Sequence, residues 1–81
     1  MKIKVNTSNI ISDFDEGYII YIPSTTESFY IEKDIYQFFN SAINEFVSIS
    51  DLLPEGYNEE EFESFINELL GLGIIIKEKN V

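Results

Sequence analysis

Three features of the 81-residue sequence predict an α+β domain. β-favouring runs crowd its first third, the apolar spacing changes to a helical period near Ile35, and a helix start at Asn58 leads to the finish Leu69-Leu70-Gly71-Leu72-Gly73. Together they give a three-stranded antiparallel β-meander followed by three helices. That order is winged-helix-like, and residues 1–81 are read as a single domain.

Residues 3–5 and the pair Ile10-Ile11 are β-branched stretches separated by Asn6-Thr7-Ser8-Asn9, so either can supply the first strand. Asp13-Phe14-Asp15-Glu16-Gly17 reads as a turn, because Asp and Gly tolerate the backbone angles that reverse a chain. Residues 18–22 form the clearest strand, closed by Pro23, which cannot donate to a central ladder. After a Ser24-Thr25-Thr26-Glu27 hairpin loop, Ser28-Phe29-Tyr30-Ile31 completes the meander, with Phe29 and Ile31 on one face and Tyr30 on the other.

Ile35, Phe38, Phe39, Ala42, Ile43 and Phe46 then repeat at helical spacing, which predicts a first helix over 32–45. Ser48-Ile49-Ser50-Asp51 fits a capping box for a second helix, which Pro54 limits to one or two turns. Asn58-Glu59-Glu60-Glu61 opens the third with another box and with acids where the helix dipole is positive. Its buried stripe is Phe62, Phe65, Ile66, Leu69 and Leu70, and Gly71 or Gly73 can take the left-handed cap before Ile74-Ile75-Ile76 turns extended.

Apolar residues at 44% are enough for a packed core, but fifteen acids against five bases leave a formal charge of −10. Phosphate backbones and anionic lipid are bound by neutralising their charge, so neither nucleic acid nor a membrane surface is expected as a partner. With no Cys and no His, the thiolate and imidazole ligands and the usual acid–base catalyst are missing. No run approaches a membrane span or a secretory signal, and a cytoplasmic protein is expected.

Each cluster that could carry chemistry has a plainer explanation. Glu59, Glu60, Glu61 and Glu63 fan around the first turns of a helix, where they compensate its dipole rather than converge on a cation. Asp13, Asp15 and Glu16 do not follow calcium-loop spacing, and Glu32 with Asp34 lacks a companion nucleophile. No catalytic residue, metal or cofactor is assigned. A strand edge, by contrast, binds through main-chain amides and needs no special residue types. If residues 28–31 end the meander beside the last helix, the strand with Phe65, Glu68 and Leu72 forms a groove where an extended peptide could add as another strand. Tyr30 is the tyrosine singled out as a binding anchor.

The ordered set of Asp15-Glu16-Gly17-Tyr18-Ile19-Ile20-Tyr21, Phe29-Tyr30-Ile31, Ser48-Ile49-Ser50-Asp51-Leu52-Leu53 and Glu61-Phe62-Glu63-Ser64-Phe65-Ile66-Asn67-Glu68-Leu69-Leu70-Gly71-Leu72-Gly73-Ile74-Ile75 covers nearly the whole chain. It resembles the PqqD-like domains, the winged-helix RiPP recognition elements that capture leader peptides of ribosomally made peptides. The chain departs from that pattern in Asn44-Glu45-Phe46-Val47, which lacks a glycine turn, and in Pro54, which clips the second helix. The resemblance implies a leader peptide added antiparallel to the strand at Ser28, Phe29, Tyr30 and Ile31, and clasped by the last helix through Glu61, Phe65, Glu68 and Leu72. It also implies a separate maturase as partner, such as a radical SAM enzyme or a leader peptidase.

The alternative is a winged-helix transcriptional regulator. Its last helix would enter a major groove, yet this one carries Glu59, Glu60, Glu61, Glu63 and Glu68 and no Lys or Arg. We therefore expect no binding of duplex DNA even at low salt. A mobility shift at micromolar protein that weakens steeply with added salt would restore the regulator.

Overall fold

The structure, a computed structural model, describes residues 1–79. Strands β1 (Lys2–Val5), β2 (Ile10–Phe14), β3 (Gly17–Ile22) and β4 (Glu27–Glu32) lead into helix α1 (Lys33–Tyr36), which continues as a 3-10 stretch over Gln37–Ala42. Strand β5 (Val47–Ser48), helices α2 (Ile49–Leu52) and α3 (Glu59–Leu72) and strand β6 (Ile75–Lys77) follow. The strands form two antiparallel sheets of three, in the orders β2-β3-β4 and β5-β1-β6. The chain is α+β, in an arrangement compatible with a small winged-helix-like domain.

The meander is β2-β3-β4. Both candidate first strands exist: Ile10 and Ile11 begin β2, whereas residues 3–5 lie in β1 of the second sheet. That sheet is not foreseen by the sequence reading, because β5 and β6 have two and three residues and carry almost no period. Phe14 pairs with Gly17, so Asp15 and Glu16 make the reversal, with Asp15 in the left-handed region at φ 53°. Ile22 pairs with Glu27 across a second reversal, where Thr26 is also left-handed at φ 60° and its N–H donates to the Ile22 carbonyl at 2.8 Å.

Alternation sorts the meander cleanly. Ile20, Ile22 and Ile31 turn into a core shared with Ile3, Phe39, Ile66 and Ile75 from the other elements. Ile66 is wholly buried, which stabilises the fold by about 1.5–3 kcal/mol.

Two helical expectations are corrected. The first helix does not run over 32–45: α1 is a single α-turn, and the 3-10 stretch ends at Ala42. Asn40 and Ser41 are of residue types with low preference for a helix interior, and Glu32 gives α1 no side-chain cap. The tighter three-residue turn still aligns Phe39 with Ala42, both buried. The capping box at Ser48 does not form either, since the Ser48 hydroxyl bonds the Ser50 hydroxyl at 2.8 Å instead of a helix amide. Helix α2 is one turn long and ends at Leu53, which Pro54 behind it keeps out of the helical region at φ −57° and ψ 115°.

Helix α3 is specified at both ends. The Asn58 Oδ1 accepts from the amides of Glu60 and Glu61 at 2.8 and 3.1 Å, leaving the Glu61 carboxylate free of that box. At the other end Gly73 sits at φ 83°, its N–H on the Leu70 carbonyl and the Ile74 N–H on the Leu69 carbonyl. A side chain at Gly73 would find room, 3.6 Å from Ile22, so the conformation and not the space calls for glycine.

The Gly73 carbonyl is held from across the molecule. Asn6 and Asn9, from the loop between β1 and β2, both donate their Nδ2 to it at 3.1 and 2.8 Å, and the Asn6 N–H donates to the Ile74 carbonyl. One loop thus ties the end of α3 to the start of both sheets.

Two measurements follow. Gly73→Ala is expected to cost about 1–2 kcal/mol in denaturant unfolding through its left-handed backbone. Asn6→Ala and Asn9→Ala are each expected to cost about 0.5–1.5 kcal/mol. An unchanged unfolding midpoint in the double asparagine variant would show that the tie contributes nothing.

Candidate functional groove

β4 is an outer strand of its sheet: β3 flanks it on one side and no described strand on the other. The Lys33 N–H donates to the Glu16 carbonyl at 3.1 Å at the end of the β3–β4 ladder, which fixes the hydrogen-bonding parity of the pair. The main-chain groups of Phe29 and Ile31 therefore turn toward β3, and those of Ser28 and Tyr30 turn outward. An exposed strand edge of this kind is a template for an added strand.

Beside that edge lies α3. Phe29, Tyr30 and Ile31 of β4 and Phe65, Leu69 and Leu72 of α3 line one open groove, joined by Glu32, Ile35 and Ile74. Five of the eight sequence-predicted residues thus converge: Phe29, Tyr30, Ile31, Phe65 and Leu72. Ser28 is exposed at the edge and Glu68 is exposed on α3, but neither lines the groove. Glu61 instead borders an adjoining cavity of about 240 Å³ formed with Ile35, Phe38, Tyr57, Phe62 and Phe65. Ile35 and Phe65 line both, so groove and cavity adjoin.

This cavity is what the sequence reading missed. In the sequence Ile35, Phe38 and Phe62 read as helix stripe, a pattern that does not distinguish core from the wall of a cleft. Tyr57 is 52% exposed, and its ring meets that of Phe38 edge-on with centroids 6.0 Å apart.

Tyr30 is 48% exposed on the outer face of the sheet, packed against Phe14 at 6.3 Å between ring centroids. Its ring covers Gly17, where an added Cβ would come within 2.6 Å of it and 2.5 Å of the Ile31 carbonyl oxygen. Glycine at 17 is thus required for close approach, and it lets the tyrosine lie flat on the strand.

Charge is unevenly distributed around the groove. Lys2, Lys4 and Lys77 are in β1 and β6, and Lys79 follows β6. Lys33 is occupied by Asp13 at 3.4 Å and by the face of the Tyr18 ring at 5.4 Å. No lysine lines the groove or the cavity, whereas Glu32 and Glu61 do. Among the described residues no three acidic side chains group closely enough to hold a metal ion. No helix among them is long and apolar enough to cross a membrane.

Comparison with protein-family models, with curated proteins and with solved structures gave no match.

The titration of Tyr36 is perturbed. Burial pushes the Tyr36 phenol above its ordinary value of 10.0, and Tyr18, with ring centroids 5.0 Å apart, adds repulsion between the two phenolates. The neutral phenol is favoured in the folded state. Its contribution to stability is complete below the ordinary phenol value and is lost as pH rises from there through the raised folded value. Tyr36→Phe is expected to flatten the alkaline fall in unfolding free energy relative to the wild type. Identical slopes above pH 10.0 would refute this.

Proposed function

We propose that this chain is a non-catalytic recognition protein. It binds the leader segment of a ribosomally made, enzymatically modified peptide by strand addition along β4, and presents it to a separate modifying enzyme. The observation that carries this reading is the outer position of β4 beside the apolar stripe of α3. Main-chain groups at Ser28 and Tyr30 would hydrogen-bond the added strand and supply affinity without reading sequence. Phe29, Ile31, Phe65 and Leu72 would receive its alternate side chains and set its register. A cytoplasmic location, where precursor peptide and maturase are made, agrees with this role.

The test is a binder drawn from a random peptide display library and titrated into labelled protein. Amide shifts concentrated at 28–31 and 65–72 are expected. Phe65→Ala and Leu72→Ala, both at half-buried positions, are expected to weaken binding by about 1–3 kcal/mol each once their folding is verified. A library that yields no binder would sink the proposal, as would shifts confined to 13–18 or to 50–53.

A further inference from the structure

Resting on that reading, we infer the chemistry of the bound segment: it is basic, with one apolar side chain filling the cavity beyond the strand edge and a neighbouring Lys or Arg facing Glu61. A peptide paired with β4 up to Glu32 leaves the sheet where α1 begins, and Ile35 is the next wall it meets. Ile35 also lines the cavity, whose other walls are Phe38, Tyr57, Glu61, Phe62 and Phe65. At about 240 Å³ it exceeds the roughly 150 Å³ cavity that takes up a benzene ring, so a Leu- or Phe-sized group fits.

Glu61 is the charged residue at this cavity. It stands in the first turn of α3, where amide dipoles would ordinarily repel a cation. Asn58 already accepts two of those amides, and Glu59, Glu60 and Glu61 outweigh the half-charge of the helix end. Glu32 places a second carboxylate where the strand edge ends. The lysines that could reverse this field lie on the other sheet or, for Lys33, beside Asp13. A chain of net charge −10 therefore offers its groove to a cationic partner and repels an acidic one or a second copy of itself.

The experiment reads the composition of peptides selected from an unbiased random library. Selected sequences should be enriched in Lys and Arg and depleted in Asp and Glu, with an apolar residue at a constant offset from the enriched base. With one selected peptide, Glu61→Gln is expected to reduce affinity by up to about fivefold, the size of one exposed charge pair, and added salt should erase the difference. Glu63→Gln makes the same charge change two positions along α3 at a residue bordering neither groove nor cavity, and should leave affinity unchanged. Tyr57→Ala removes a half-exposed cavity wall at little risk to folding and should weaken only peptides that carry the apolar residue.

The outcomes separate the two ideas. Peptides that map to β4 but show no basic bias, or bind Glu61→Gln and Tyr57→Ala as tightly as the wild type, overturn this inference and leave strand addition standing. Basic peptides that leave the β4 amides unshifted overturn both.

Discussion

The bonds that hold the Gly73 carbonyl govern the geometry on which the rest depends. The groove is the gap between an edge strand and a helix, so its width is set wherever the helix is pinned to the sheets. At the C-terminal end of α3 that pin is specific: two asparagine amides from one loop converge on one carbonyl, and the same loop's main chain bonds the next. A helix end normally leaves carbonyls for water. Here the Leu69 and Leu70 carbonyls accept from Ile74 and Gly73, and the next two carbonyls, of Gly73 and Ile74, accept from the β1–β2 loop, which joins the two sheets. Gly73 makes this possible by turning the chain left-handed so that Ile74 and Ile75 drop into the core.

An outer strand beside an apolar groove invites aggregation unless something discourages indiscriminate pairing. Glu27 and Glu32 stand at the two ends of β4, and the net charge makes approach of another copy unfavourable. Tyr30 adds a covering of its own, lying over Gly17 on the outer face. The opposite edge, β2, is exposed along its whole length and carries Ile10, Ile11 and Phe14, with only Asp13 among them charged. The two edges of one sheet thus differ: the β4 edge has an apolar groove and carboxylates beside it, while the β2 edge exposes apolar side chains.

Much of the fold is legible in the sequence because its signals are local. The meander follows from β-branched runs and turn residues, and α3 from a cap, a stripe and a glycine. The edge position of residues 28–31 follows from strand order, because no later long strand is present to cover them. What is not legible is set by distant partners. β5 and β6 become strands only because β1 offers them hydrogen bonds, and no two-residue stretch announces that. The polar loop residues Asn6 and Asn9 look like spacers until Gly73 is brought beside them. The first helix tightens to a 3-10 stretch, a difference of about 0.6 residue per turn that apolar spacing over so few residues does not resolve.

The same limit explains why the cavity was invisible while the groove was anticipated. A strand edge is a topological property: if the strand is last in its meander, the edge is free, and alternation tells which side chains face inward. A cavity is a failure of two stripes to meet. Phe38 and Phe62 belong to the apolar stripes that the sequence assigns to two helices. Phe39 and Ala42 of the 3-10 stretch lie in the core, whereas Phe38 is half-buried beside Tyr57. The space next to Glu61 is thus walled by Ile35 of α1 and Phe38 of the 3-10 stretch, and the residue that reads as a capping acid in the sequence is the charge that borders it.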